Sequence, residues 1–270
     1  MSETWDRLQL TLAELGIEPK KSLGQNFLIS DLVIKKIIQA ARETTPGFLI
    51  EIGPGPGALT NHLRSLTENF QLIELDHKIS DYWRKQGMNL IEADALQMDW
   101  SDLLKKERPL VLVSNLPYQI SSSLVIERSL DENPLDRMIL MFQKEVAQRL
   151  RARQQDELYG MLSVVAQSFW KMETLADVSP RDFFPPPKVA SRVLTFEKKE
   201  SPVSNKKRYL KFVKAAFLHP RKLMASNLEE GFSISKEKTM EALKKRQLSE
   251  KARAGQLSVQ QFVDFYHELS

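Results

Sequence analysis

Four consecutive residues, Asn115-Leu116-Pro117-Tyr118, stand at the carboxyl end of a short apolar run, Leu110–Val113. An Asn side-chain oxygen and a backbone carbonyl both accept hydrogen bonds, so together they can hold the two N–H groups of an aromatic amine. Such an amine is a poor nucleophile, because its lone pair is delocalised into the ring. Acceptors that hold it as the nitrogen turns pyramidal and positive stabilise the transition state of its attack. Pro117 lacks an N–H and stiffens the turn. The Tyr118 ring offers a flat face for a base, worth about 1–3 kcal/mol of stacking. Asn115, Leu116, Pro117 and Tyr118 are therefore candidate catalytic residues. Taken alone, the tetrapeptide also reads as a simple Asx-Pro turn.

A second constellation runs from Phe48 to Thr60. Phe48–Ile52 is apolar enough for a buried strand, and Gly53, Gly55 and Gly57 then alternate with prolines. Strand, glycine turn and helix is the geometry in which backbone approaches a ligand, because glycine carries no side chain to block it. Gly53, Gly55 and Ala58 satisfy a dinucleotide-type pattern, and Glu74 falls near the spacing at which a carboxylate takes ribose hydroxyls. A nucleotide-like cofactor is expected here, with a plain Gly-Pro turn as the alternative.

The elements that position these groups alternate. Strand-like runs at Phe48–Ile52, Phe70–Glu74, Asn89–Glu92, Leu110–Asn115 and Met138–Phe142 are separated mostly by helical stretches, at Ala58–Leu66, Ile79–Gln86 and Ser121–Leu130. Such alternation predicts βαβ units and a doubly wound, mostly parallel α/β sheet. Residues 1–18 read as an amphipathic helix carrying Leu8, Leu12 and Leu15. Asp31–Arg42 reads as another, with Leu32, Ile34, Ile37 and Ile38 as its apolar positions. Gly160–Trp170 is a further helix, and two strand candidates, Glu173–Val178 and Arg192–Glu197, flank a proline-rich turn. Beyond Pro202 the pattern is all-helical: Lys206–Leu218, Arg221–Glu229, Lys236–Lys245 and Ser258–Leu269. A boundary near residue 200 is expected.

The chain of 270 residues is 42% apolar and has no cysteine, which excludes disulfides, thiolate metal sites and cysteine nucleophiles. The histidines, His62, His77, His219 and His267, lack metal-ligand spacing, so no metal is expected. The polar start is unlike a signal peptide and no apolar run reaches membrane-spanning length, so a cytoplasmic protein is expected. The net charge of +4 is unevenly spread: residues 1–180 carry −5 and residues 181–270 carry +9. That asymmetry suggests a polyanionic partner for the last third, or a solvated basic surface.

Glu51-x-Gly53-x-Gly55-x-Gly57 together with Asn115-Leu116-Pro117-Tyr118 resembles the S-adenosylmethionine-dependent rRNA adenine dimethylases, and within them the small-subunit enzymes. Leu23–Leu28, Glu74-Leu75-Asp76, Asp94-Ala95-Leu96 and Phe183–Ser191 agree in the family's order. The resemblance implies a class I, Rossmann-like methyltransferase domain over residues 1–200, with an N-terminal flap at 1–45, and a smaller helical rRNA-binding domain over 201–270. It implies S-adenosylmethionine held by Asn26, Leu28, Gly53, Gly55, Glu74, Asp94 and Asn115. Glu74 would accept from the ribose, and Asp94 from the adenine amine. Without the resemblance, Asp94 reads equally as a helix cap. Phe183 would stack on the target adenine opposite Tyr118, with core packing as the alternative. Lys188 would meet phosphate or only pair with a carboxylate. The implied substrate is 16S rRNA in an assembling small subunit, dimethylated at two adjacent adenosines in a hairpin loop near the 3′ end by a protein expected to be monomeric. Phosphate contacts would come from Lys206, Lys207, Arg208, Lys211, Lys214, Arg221 and Lys222. Residues 217–228 depart from the family's usual Arg/Lys-rich segment, which leaves the rRNA contacts open. Three other readings stay open: a large-subunit rRNA dimethylase, a non-catalytic assembly factor on the same scaffold, and a nicotinamide oxidoreductase.

Overall fold

A computed structural model describes residues 3–19 and 24–270. Lys20 to Leu23, which open the basic flap segment, lie outside the described residues. The chain divides into two compact units, residues 1–147 with 172–198, and residues 148–171 with 199–270. The second unit therefore takes in a segment that a single cut near 200 assigns to the first.

The first unit is built on a seven-stranded sheet. In chain order, β1 (Phe27–Leu28) belongs to the flap, and β2 (Phe48–Ile52), β3 (Phe70–Glu74), β4 (Leu90–Glu92), β5 (Leu110–Ser114) and β6 (Arg137–Gln143) are sheet strands. They are followed by β7 (Trp170–Val178), the short β8 (Phe183–Phe184) and β9 (Ser191–Lys198). The sheet order is β4-β3-β2-β5-β6-β9-β7. The pairings of β2 with β3 and β5, of β3 with β4, and of β5 with β6 are all parallel. β9 runs antiparallel to β6. β2, β3 and β5 are apolar on both faces because helices cover both sides, as in doubly wound sheets. The chain reverses its winding direction beside β2, whose neighbours are β3 and β5. Crevices open at the carboxyl edge of such a switch point.

Helices α1 (Glu3–Leu15), α2 (Asp31–Arg42), α3 (Thr60–Leu63), α4 (His77–Lys85), α5 (Tyr118–Leu130) and α6 (Lys144–Arg151) accompany these strands. In α2 the buried side chains are Val33, Ile34, Ile37, Ile38, Ala40 and Ala41. Leu32, expected among them, is 66% exposed. Positions 33, 34, 37, 38 and 41 form one helical stripe, and position 32 falls off it. The helix expected over Ala58–Leu66 shrinks to the single turn of α3, and α6 had no periodicity strong enough to announce it. β8 pairs with β1 in a separate two-stranded sheet, Phe27 opposite Phe184 and Leu28 opposite Phe183. The flap is thereby tied to the segment just before the proline run.

The second unit contains α7 (Met161–Phe169), α8 (Lys206–Ala216), α9 (Met224–Phe232), α10 (Lys236–Lys245) and α11 (Val259–Leu269). α9 starts three residues later than its sequence pattern suggests. Asn227 explains part of this: its amide donates to the carbonyls of Ala216 and His219, which holds the α8–α9 connection as a non-helical turn.

The glycine turn after β2 is held from below. The Trp83 indole N–H on α4 donates to the Gly55 carbonyl at 2.9 Å, with the ring fully buried. Gly57 sits at φ +94°, and a Cβ there would come within 2.8 Å of the Trp83 ring and 2.7 Å of Asn61. Gly57→Ala combines left-handed strain with a clash against packed groups. It is expected to cost about 2–4 kcal/mol of stability, measured by denaturant unfolding, whereas Gly87→Ala on the surface should cost about 1 kcal/mol.

Candidate active site

β2 to β5 are parallel, so the residues that follow them gather on one edge. A cleft there is lined by Asn26 and Leu28 of the flap, Gly53 and Gly55 after β2, Glu74 ending β3, Asp94 after β4, and Asn115, Leu116, Pro117 and Tyr118 after β5. Ten of the eleven sequence-derived site residues thus meet in one place. Phe183 does not line it. Its ring is 2% exposed and belongs to the same apolar cluster as Leu28, Ile34 and Val178. The strand pairing with Leu28 turns this ring into the core, so here the core-packing alternative describes it. The next ring, Phe184, meets Trp5 of α1 edge to face at 5.1 Å.

The cleft wall is polar at defined points. Asn115 Nδ2 donates to the Asn26 carbonyl at 3.0 Å, and Asn26 Nδ2 donates to the Gly24 carbonyl at 3.1 Å. The Asn115 amide is thereby anchored by its nitrogen, and its oxygen remains as an acceptor. Among the described residues, no backbone N–H donates to the Leu116 carbonyl. The Tyr118 hydroxyl shares a 2.6 Å hydrogen bond with Ser191 of β9, which fixes the ring, and burial raises its pKa.

Glu74 is buried. Its Oε1 accepts the N–H groups of Leu75 at 2.8 Å and Asp76 at 2.9 Å, so backbone positions the carboxylate on the cleft wall. Burial raises its pKa, and the backbone of Asp76, Leu75 and Gly55 opposes that rise. Asp94 caps its own turn: Oδ1 accepts the Leu96 N–H at 2.9 Å and Oδ2 the Gln97 amide at 3.0 Å. The capping reading of Asp94 therefore holds, and its carboxylate still lines the cleft, with lone pairs beyond those two bonds.

Gly53 and Gly55 differ in what surrounds them. A Cβ on Gly53 would meet nothing within 4 Å, while one on Gly55 would press the Phe27 ring at 3.1 Å. Gly53 therefore leaves ligand space, and Gly55 lets the flap close down on the turn.

Sequence reasoning missed several lining residues. Thr4, Arg7 and Leu8 of α1 reach the cleft, as do His62 and Glu51. α1 is docked through Leu8 and Leu12 against Phe27 and through Thr4 onto Asp31. Nothing in its periodicity marks Arg7. Glu51 carried a signal, since it is the one charged residue in the apolar run Phe48–Ile52.

Among the described residues, no group of three or more His, Asp and Glu side chains could hold a metal, and no helix is long and apolar enough to cross a membrane. In the second unit, Lys207, Lys211 and Lys214 form an exposed stripe along α8 with Arg208 beside it. Lys206 is not part of it: the side chain is buried, with its ammonium 5.5 Å from the Phe169 ring centre. Lys222 and His219 both pair with Glu230.

This sheet order, glycine turn and acidic cleft define a class I methyltransferase-type fold. Two solved structures share it: a dimethyladenosine transferase from Plasmodium falciparum (TM-score 0.73, 22% identity, 90% of this chain and 98% of that one) and the 23S rRNA methyltransferase ErmE (TM-score 0.66, 22% identity, 90% and 99%). The family profile "Ribosomal RNA adenine dimethylase" matches residues 17–270. The chain is 53% identical to "Ribosomal RNA small subunit methyltransferase A" of Bdellovibrio bacteriovorus over 98% of both chains. It is 38% identical to the protein of that name from Desulfitobacterium hafniense, over 92% of this chain and 91% of the other. The chain belongs to the ribosomal RNA adenine dimethylase family.

The buried Glu51 makes stability depend on pH. It is 2% exposed, and desolvation pushes its pKa from 4.5 up to about 8, with Glu74 adding to the rise. The nearby Thr60 hydroxyl opposes this rise by more than Glu74 adds to it, without reaching hydrogen-bond geometry. In the unfolded chain Glu51 ionises above about 4.5, whereas in the folded chain it keeps its proton to about 8. Its contribution is therefore fully present below 4.5 and is lost as pH rises through that window. Glu51→Gln, which has no such loss, should gain on the natural protein by a few kcal/mol between pH 4.5 and 8 and hold that margin above it. Denaturant midpoints across pH check this, and parallel curves would contradict it.

Proposed function

We propose that the protein transfers methyl groups from S-adenosylmethionine to the exocyclic amine of adenosines in 16S rRNA. It forms dimethyladenosine at two adjacent positions of a hairpin loop near the 3′ end during small-subunit assembly. The observation that carries the chemistry is Asn115 beside the Leu116 carbonyl on the wall of an acidic cleft, with its amide nitrogen already engaged by the flap. The small-subunit relatives, at up to 53% identity over nearly the whole chain, favour this substrate over large-subunit rRNA. We place the enzyme in the cytoplasm, acting as a monomer on the assembling particle.

The residues present fit the donor. Gly53 leaves room for it, the positioned carboxylate of Glu74 suits the ribose hydroxyls, and Asp94 suits the adenine amine. Asn26, Leu28 and Gly55 close the flap side. When bound, the donor supplies a methyl group activated by positive charge on sulfur. This chain's part is to orient and to stabilise. Asn115 Oδ1 and the Leu116 carbonyl would accept the two N–H bonds of the target amine, drawing charge off the nitrogen as it attacks. Pro117, at the N-terminus of α5, keeps the turn extended, with φ −54° and ψ 128°. The Tyr118 ring, fixed by Ser191, would stack on the flipped base. No strong base is needed, because an alkylated aromatic amine releases its proton to solvent. Phe183 would act indirectly by anchoring the β1–β8 pair that holds the flap.

The exposed stripe on α8 would meet RNA phosphates. Since Lys206 is buried and Lys222 is paired, Lys207, Arg208, Lys211 and Lys214 are the better candidates, and Arg221 and Lys188 are also exposed.

The deciding experiment supplies labelled donor with immature small subunits, mature small subunits and large-subunit RNA, and maps the labelled base. Label confined to adenosines of the immature small subunit is expected; label on large-subunit RNA would overturn the assignment. Asn115→Ala should slow methyl transfer about 100- to 1,000-fold, while Asn115→Asp, which keeps an acceptor oxygen, should slow it less. Replacing Lys207, Lys211 and Lys214 together by Gln should lower the slope of log affinity against log salt by about two to three, measured by filter binding.

A further inference from the structure

A second indole serves a second turn of the cleft. Trp100 is 4% exposed, stands outside the cleft lining, and donates its indole N–H to the Ala95 carbonyl at 2.8 Å. That carbonyl and the Leu96 N–H belong to one planar peptide group. The Leu96 N–H is the donor that Asp94 Oδ1 accepts at 2.9 Å. The indole therefore grips one end of a rigid plate whose other end holds the Asp94 carboxylate. A hydrogen bond to a peptide oxygen also polarises the peptide and strengthens the bond that its N–H makes. The rest of the turn closes on Asp94 as well. The Asp94 carbonyl accepts the N–H groups of Gln97 and Met98, each at 3.0 Å, and Oδ2 accepts the Gln97 amide at 3.0 Å. All of these bonds are internal to residues 94–98, and the indole bond ties their far side to a buried ring.

The ring is held in turn by a buried cation. Arg128, about three turns along α5 from Tyr118, places its guanidinium carbon 4.1 Å from the Trp100 ring centre. The residue is 7% exposed, and its Nε lies 3.1 Å from an Asp131 carboxylate oxygen. Its Nη1 has no hydrogen-bond partner, so the aromatic face takes the charge that a fork of acceptors would otherwise meet. A buried guanidinium is costly, and a leucine would fill the space without that cost. What the arginine adds is attraction to one face of the ring. That attraction fixes the tilt of the indole, and with it the direction of the N–H.

We propose that Trp100 is a positioning residue for Asp94, clamped by Arg128, and that this pair sets how strongly the cleft prefers a donor base carrying an amino group. This rests on the donor assignment made above, in which Asp94 accepts from the adenine amine. The aim of that carboxylate then comes from α5, the helix that begins at Tyr118. One helix orders both ends of the cleft: its first residue at the target base and Arg128, through Trp100, at the donor base. Neither Trp100 nor Arg128 lines the cleft, so the pair acts on selectivity between bases and not on the methyl-transfer step.

Titration calorimetry tests this by comparing S-adenosylhomocysteine with S-inosylhomocysteine, in which an oxygen replaces the amino group of the base. The natural protein should bind the adenosyl ligand more tightly. Trp100→Phe keeps a buried ring and removes the N–H, and it should lower that preference about three- to tenfold, chiefly by weakening the adenosyl ligand. A side chain that only supports the fold would weaken both ligands alike, so an unchanged preference overturns the proposal. In an Asp94→Asn background, Trp100→Phe should leave the remaining preference as it is. A further fall of the same size overturns the proposal too, because the indole would then act through another group. Where Trp100→Phe does not fold, Arg128→Leu decides: the N–H stays, the ring is free to tilt, and the preference should fall about two- to fourfold. An unchanged preference in that variant overturns the proposal in its place. A natural protein that binds both ligands equally, or neither, would instead remove the assignment of Asp94 to the donor base, and the proposal with it.

Discussion

The cleft exists because a turn of Gly-Pro repeats is pinned to the core by one indole. Trp83 buries a large ring beneath the turn and spends its only polar atom on the Gly55 carbonyl. Three glycines at positive φ would otherwise be the most mobile backbone in the unit. Pinned, they present a fixed floor: Gly53 open to a ligand, Gly55 against the flap, Gly57 against Trp83. The hydrogen bond contributes about 1 kcal/mol and the burial of the ring more. Their larger effect is positional, because the carboxylates on the neighbouring strand ends are useful only around a floor that does not move.

How much of this was legible in the residues follows from range. β2 and β3 match the expected bounds because strands buried on both faces leave unbroken apolar runs. The gathering of Gly53, Glu74, Asp94 and Asn115 follows from parallel pairing alone, so it could be read before any coordinate. Leu32 was misread because an apolar residue at a helix start fits more than one stripe. The choice between the two readings of Phe183 could not be made locally: its orientation is set by pairing with Leu28, far away in the chain, and a two-residue strand leaves no periodicity. The α1 residues on the cleft were invisible on the same grounds. The segment 148–171 joins the second unit through contacts such as Ser168 with Tyr209, which no local pattern encodes.

Charge is distributed unevenly between the two units. The described cleft brings Glu51, Glu74 and Asp94 together with few cations, which suits a positively charged donor and repels a phosphate chain. The basic stripe of α8 lies in the other unit, where burial of Lys206 and pairing of Lys222 leave a narrower face than composition suggests. On the proposed reading, a base would enter this acidic site with its own backbone held elsewhere. The net charge of +4 averages over this separation and hides it.

On the proposed reading, Asn115 joins the flap to the chemistry. Its amide has one donor side and one acceptor side, and the donor side is committed to the Asn26 carbonyl of the flap. The flap is in turn held by β8 and by the Phe27 ring over Gly55. With the donor side held by the flap, the acceptor side is left to the cleft that Asn115 lines. On the proposed reading, the same side chain contacts the flap through its nitrogen and would present its oxygen to the target amine. A side chain with acceptors alone, such as a carboxylate, could receive the amine but could not report whether the flap had closed. This is a physical reason for an amide, and not an acid, at the tip of β5.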